Sequence, residues 1–237
     1  MPVLIDRASL GCTILTGKES VRPPRRHPSG CEWIEVGLVN NMPDAALEST
    51  EQQFLDLLAA AAGESWVRVR FLALRGAPRS ERMQRHLRQS YLDTADIGAA
   101  DLDGLIVTGT EPKAARLAEE PYWRAFTALA DWARQGTIST IWSCLAAHAA
   151  VLYLDGIERM PLGEKCIGVF PCDKLVDHPF TQGLPRHLAI PHARWQPFAA
   201  TFYRNWLSYL SSEKQQRLRP TDYLASLRLD QAPVAVI

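Results

Sequence analysis

Ile138-Ser139-Thr140-Ile141-Trp142-Ser143-Cys144-Leu145-Ala146-Ala147 is the stretch on which the reading of this chain turns. Thr137 to Ser143 reads as a strand. It delivers a cysteine straight into small residues that let a helix begin at once. That is the shape of a nucleophile elbow, a tight strand-to-helix turn that lifts one side chain clear of the sheet. The free amides of the first helical turn give such a corner a positive potential, which favours a thiolate at Cys144. The competing reading is a small, buried, inert cysteine of the core.

Upstream lies a second strand end of the same kind. Asp103 to Gly109 reads as a buried strand ending in a glycine turn, Thr108-Gly109-Thr110-Glu111-Pro112. Backbone N–H groups around Thr110, together with the Leu145 amide, are placed to form an oxyanion hole. The alternative is an ordinary strand-to-helix turn.

Further out the alternation continues. Ile34 to Val39 is a short apolar strand, followed by the turn Asn40-Asn41-Met42-Pro43-Asp44. Ala45, Leu47, Phe54, Leu55, Leu57, Leu58 and Ala61 then recur at helical spacing. Trp66 to Leu74 reads as a strand, and Ser80 to Tyr91 as a polar helix. Pro121 to Gln135 forms a helix that Gly136 stops. Beyond Leu154 the signal weakens: Cys166 to Pro171 and Leu188 to Ile190 are candidate short strands, and Ala199 to about Leu218 is a helix. Strands alternating with helices predict an α/β fold, a doubly wound and mostly parallel sheet flanked by helices. The expected organisation is an irregular N-terminal arm over 1–33, rich in Pro23, Pro24, Pro28 and Gly30, an α/β domain over 34–218, and a C-terminal tail over 219–237.

Composition narrows the function classes. The chain has 237 residues, with 26 basic and 26 acidic side chains. That balance gives no reason to expect nucleic acid or an anionic membrane as partner. No apolar run reaches the length that spans a bilayer, and the N-terminus is too polar after its first residues for a secretory signal. A cytoplasmic location is the expectation. The five cysteines, Cys12, Cys31, Cys144, Cys166 and Cys172, are odd in number and contain no C-x-x-C pair. Neither a metal site nor a disulfide framework is expected.

Several stretches, taken in one order over residues 34–198, resemble the homoserine O-acyltransferases of methionine biosynthesis. They are Val36-Gly37-Leu38-Val39-Asn40-Asn41-Met42-Pro43 with Glu51 to Leu55; Asp103 to Gly109; Tyr122-Trp123; Ser143-Cys144; Glu164-Lys165; and Pro191-His192-Ala193-Arg194-Trp195. The resemblance implies a class I glutamine-amidotransferase-like fold and transfer of an acetyl or succinyl group from acyl-CoA to L-homoserine. It implies Cys144 as the acyl-thioester nucleophile and Lys165 as a substrate-binding residue. Arg194 falls in the family's His-Ser-Arg-aromatic motif, where Ala193 replaces the serine. Lys113 falls at the acyl-donor-selecting position of the loop after Gly109. No cofactor is implied beyond acyl-CoA as co-substrate, and a homodimer is an assembly to expect.

In the family a Gly-His-Pro-Glu-Tyr segment supplies a catalytic histidine and glutamate. Here no histidine follows His192, and Gln196-Pro197-Phe198-Ala199 runs almost directly into the last helix. The expectation is therefore that part of the C-terminal region, including that acid–base pair, is missing. His148, four residues beyond Cys144, and His192 are the substitutes to consider, while His27, His86, His178 and His187 carry no context for the role. Two alternatives keep the fold and change the function: a catalytically impaired relic or binding protein, and a glutamine amidohydrolase.

Overall fold

The computed structural model describes residues 3–7, 11–16, 19–21, 33–159, 168–191, 198–217 and 234–236. In chain order its elements are β1 (Val3–Arg7), β2 (Gly11–Thr16), β3 (Glu19–Val21), β4 (Trp33–Val39), α1 (Asp44–Ala61), β5 (Trp66–Ala73), α2 (Glu81–Ser90), β6 (Leu92–Asp93) and β7 (Gly104–Val107). There follow α3 (Trp123–Gly136), β8 (Ser139–Trp142), α4 (Leu145–Asp155), β9 (Val169–Asp173), β10 (His187–Pro191), α5 (Phe198–Arg217) and β11 (Val234–Val236).

The main sheet runs β11-β8-β7-β4-β5-β1-β2-β3, with β6 paired to β5. From β11 through β1 every pair is parallel, and β2 and β3 close the far edge antiparallel. β4 and β7 are largely apolar because both their faces are covered, and β8 is fully buried although it carries Ser139 and Thr140. Alternate residues feed two cores. Val36, Leu38, Val69, Phe71, Ile106 and Ile141 pack under α1 and α5. Leu72, Leu105, Val107 and Trp142 pack under α3 and α4 on the opposite face. This is the doubly wound α/β fold that the alternation predicts.

α5 is held to the sheet by Tyr203, Trp206, Leu207 and Leu210, each at most 2% exposed. Burial of side chains this large is worth roughly 1.5–3 kcal/mol apiece. Trp206 donates its indole N–H to Ser139 Oγ at 3.1 Å. Near the other end of α5, the Lys214 ammonium donates to Asp103 Oδ2 at 2.8 Å and to the Trp33 carbonyl at 2.7 Å. The short strands β9 and β10 pair antiparallel in a sheet of their own. Among the described residues no helix is long and apolar enough to cross a membrane.

Two expectations need correction. The arm over 1–33 is not irregular throughout, because β1, β2 and β3 extend the sheet, with Val3, Leu4 and Ile5 buried. The prolines and Gly30 dominate that segment's composition, while the short Val3-Leu4-Ile5 run carries no periodicity long enough to stand out. Likewise the segment over 219–237 is not only a tail: Val234–Val236 pairs in parallel with Thr140–Trp142. Three apolar residues make no pattern by themselves; the open edge of β8 is what gives them a place.

Candidate active site

The strand order reverses at β4. Its successor β5 lies on one side and β7 on the other, so the carboxyl ends of β4 and β7 flank a topological switch point, the crevice where open α/β sheets bind ligands. Three strand ends meet there in a ladder. Thr108 N–H donates to the Val39 carbonyl at 2.9 Å, and Ser143 N–H to the Val107 carbonyl at 2.9 Å. Asn41 N–H donates to Thr108 Oγ1 at 2.8 Å.

Cys144 stands at the end of β8, between the strand and α4. Its backbone, at φ 57° and ψ −127°, makes it the one non-glycine residue with positive φ among those described. An L side chain in that region costs roughly 1–3 kcal/mol and persists only where the surroundings enforce it. Here they do. Ser143 is pinned to β7, and the Ala146 and Ala147 amides close the first turn of α4 onto the Ser143 and Cys144 carbonyls at 3.2 and 3.0 Å. The small buried residues Ala146, Ala147, Ala149 and Ala150 let α4 lie close to the sheet. Cys144 is exposed, so it is not a buried residue of the core.

The glycine turn after β7 abuts this elbow. A Cβ added to Gly109 would stand 2.5 Å from Leu145 N and 3.1 Å from Cys144 Cβ, so only glycine permits the approach. Leu145 N–H lies in the first turn of α4, where amides have no intrahelical acceptor. A small open cleft, with room for about one water-sized group, lies against this corner, lined by Asn41, Thr110, Tyr122, Phe126, Leu145 and Ala149 among others. The sequence-predicted Thr110, Leu145 and Cys144 are thus brought together, although Cys144 itself is not part of the pocket lining.

Lys113 is exposed, but its loop is not free. Glu120, only 3% exposed, accepts the Lys113 and Ala114 amides on Oε1 at 2.6 and 2.9 Å. Its Oε2 is buried without a hydrogen-bond partner among the described residues. Burial, and then this carboxylate, push the Tyr122 hydroxyl up to about 12, so it stays a neutral phenol near pH 7. Lys165, Ala193 and Arg194 lie outside the described residues, as do His27 and His192.

Among the described residues, no hydrogen bond reaches Cys144 Sγ, and His148 is exposed on α4. The other described histidines are engaged elsewhere: His86 with Glu51 at 2.9 Å, His178 in accepting from Phe180 N–H, and His187 with Asp173 at 2.7 Å. The sequence reading passes over Glu120, takes Gly109 only as a turn residue, and quotes Asn41 and Tyr122 only as parts of motifs. The Asn-Asn pair just past a strand end is the signal that could have singled out Asn41.

The family model for homoserine O-succinyltransferase matches residues 21–201 of this chain. The chain belongs to the homoserine O-succinyltransferase family. It is 53% identical over 167 residues to a homoserine O-succinyltransferase of Rhodopseudomonas palustris, covering 70% of this chain and 50% of that protein. To the protein of that name from Bradyrhizobium japonicum it is 44% identical over 191 residues, 76% of this chain and 58% of that one. To that from Methylorubrum extorquens it is 42% identical over 194 residues, 82% and 55% respectively. The chain spans about half the length of the curated relatives it matches. The stretches in which the sequence resembles that family, among them Val36 to Pro43, Asp103 to Gly109 and Ser143-Cys144, build the corner described above.

Proposed function

We propose that the chain is a cytoplasmic homoserine O-acyltransferase working through a Cys144 acyl-thioester, with acyl-CoA as its co-substrate and no resident cofactor. The observation that carries this reading is the strained elbow: Cys144 at φ 57°, exposed, with Gly109 packed against the Leu145 amide. Membership of the homoserine O-succinyltransferase family supports homoserine as the acyl acceptor.

In the first half-reaction the Cys144 thiolate attacks the carbonyl carbon of acyl-CoA. The carbonyl electron pair moves onto oxygen, where the Leu145 N–H and amides around Thr110 receive it. Collapse of this intermediate expels the CoA thiolate and leaves the acyl group on Sγ. In the second, the homoserine hydroxyl oxygen attacks that thioester, its proton passes to a base, and Cys144 leaves as thiolate. Lys165 and Arg194 supply positive charge for the homoserine carboxylate or a CoA phosphate, and Lys113 faces the choice between acetyl and succinyl donors. The alanine at 193 removes a hydroxyl from this set. The family match favours neither the relic nor the glutamine amidohydrolase, and a homodimer is the assembly to test, by light scattering.

The two half-reactions make different demands. The first needs a thiolate and backbone amides; the second needs a base for a hydroxyl, whose absence typically costs about 10²–10⁴-fold. Incubation with acetyl-CoA or succinyl-CoA, followed by intact-mass spectrometry, is expected to show an acyl adduct on Cys144 that homoserine discharges slowly. No adduct with either donor would reject the acyl-transfer reading. Rapid O-acylhomoserine production would reject the imbalance and place a base at His148, His192 or another chain.

A further inference from the structure

Two adjacent asparagines follow β4, and the fold treats them differently. Asn40 is fully satisfied: its Nδ2 donates to the Leu47 carbonyl at 3.0 Å and to Tyr91 Oη at 3.3 Å. Its Oδ1 accepts the Met42 amide at 3.2 Å and Thr108 Oγ1 at 3.5 Å. It is a strut between α1, the turn after β7 and the chain just after α2.

Asn41 is 5% exposed and only half satisfied. Its Nδ2 donates to the Thr108 carbonyl at 3.2 Å, while its Oδ1 is buried with no partner among the described residues. The carboxamide cannot be turned over to correct this, because Oδ1 would then face the Thr108 carbonyl, acceptor against acceptor. The orphan is therefore fixed by the same main-chain ladder that aligns β4 with β7. A buried acceptor without a donor is costly, and one in a native fold calls for an explanation such as a ligand. Asn41 lines the pocket beside the elbow, in the crevice of the switch point, with Phe126 and Ala149 as apolar walls.

We propose that Asn41 Oδ1 is the acceptor that binds a hydrogen-bond-donating group of the incoming amino alcohol, the ammonium or the hydroxyl of homoserine. This rests on the acyl-transfer reading for the identity of the ligand. A neutral amide oxygen attracts N–H and O–H donors and disfavours a carboxylate, so neither the homoserine carboxylate nor the far end of a succinyl group belongs at this position. The amide takes no proton; Asn41 orients the acceptor substrate and does not serve as its base. Asn41 is thus a binding residue of this pocket that sets which end of the amino alcohol enters it.

Calorimetric titration of the full chain with L-homoserine tests this, without acyl-CoA so that nothing turns over. Asn41→Leu, of similar size, is expected to weaken homoserine binding on the order of tenfold, the loss of one hydrogen bond to a buried group. 2-Aminobutyrate, which lacks the hydroxyl, and 4-hydroxybutyrate, which lacks the ammonium, identify the group held: the analogue lacking it binds wild type and variant alike. Equal homoserine affinity in both proteins, or no homoserine binding by wild type, overturns the proposal. Should Asn41→Leu fail to fold, ¹⁵N-asparagine-labelled wild type gives the same answer, since the Asn41 side-chain amide signals must move when homoserine is added. An acyl adduct on Cys144 without homoserine contact at Asn41 rejects this assignment alone. Contact at Asn41 without any adduct keeps it and rejects acyl transfer.

Discussion

The backbone nitrogen of Leu145 lies 2.5 Å from the point where a Cβ on Gly109 would stand. Backbone cannot retreat as the far end of a flexible side chain can, so Gly109→Ala must push the loop after β7 away from the elbow. The expected cost is about 1–3 kcal/mol of stability, in the range of overpacked cores, together with slower acylation of Cys144 as the amides move out of line. Chemical denaturation and the adduct assay check both parts. A variant with unchanged stability and rate would mean that the approach is not part of the site.

Cys144 itself should show opposite effects on stability and reactivity. Cys144→Gly relieves a positive φ that an L side chain adopts at a cost, so a gain of about 1 kcal/mol in stability is expected along with complete loss of the acyl adduct. In the wild type, iodoacetamide should label Cys144 before half-buried Cys172. Labelling led by Cys172, Cys12 or Cys31 counts against the elbow, as does a glycine variant that melts earlier.

The Glu120 carboxylate holds two consecutive amides of the loop that carries Lys113. Hydrogen bonds to a charged group contribute about 1.5–3 kcal/mol each, so Glu120→Ala should destabilise the chain by a comparable amount. Amide hydrogen exchange at Lys113 and Ala114 should rise more than elsewhere. Uniform exchange across the domain would show that Glu120 supports the fold in general and not this loop.

Glu35 offers a test by pH. Burial raises its carboxyl above the usual range, even though Arg68, Arg70 and Lys214 pull the other way. A raised folded-state value means that its contribution is fully present below the unfolded value of 4.5 and is lost as pH rises through the folded one. Glu35→Gln, a neutral mimic, should therefore gain stability relative to wild type between pH 4 and pH 7. Melting temperatures that diverge the other way, with the glutamine variant falling behind at pH 7, would show that the Arg68 ion pair at 2.9 Å outweighs burial.

Lys165 and Arg194 can be tested without knowing their geometry. If they bind substrate, alanine at either position weakens binding of homoserine or acyl-CoA and leaves the melting temperature almost unchanged. A large drop in melting temperature with binding intact assigns them to the fold.

Much of this was legible in the sequence because local pattern and tertiary outcome agree in the central strands. β4, β5, β7 and β8 are long or apolar enough to announce themselves, and the Ser143-Cys144-Leu145-Ala146-Ala147 corner carries its own logic of a strand followed at once by small residues. The parts that were missed depend on partners far away in the chain. Val3-Leu4-Ile5 becomes a strand because β5 offers it an edge, and Gly109 matters because Leu145 is its neighbour in space. Glu120 looks like one more acidic residue in Glu119-Glu120 until the fold buries it beneath Lys113 and Ala114. Asn41 differs from Asn40 only in which of its atoms find partners, a distinction that no spacing rule contains.

The pairing of Val234–Val236 with Thr140–Trp142 has a bearing beyond the fold. The strand that feeds the nucleophile would otherwise present a bare row of peptide donors and acceptors at the end of the sheet, and such rows recruit other chains. A shortened chain ending before Val234 should therefore betray itself by self-association, with the reactive corner close to the contact. The last described strand thus moves the edge of the sheet one strand away from Cys144 and leaves there a strand of only three residues.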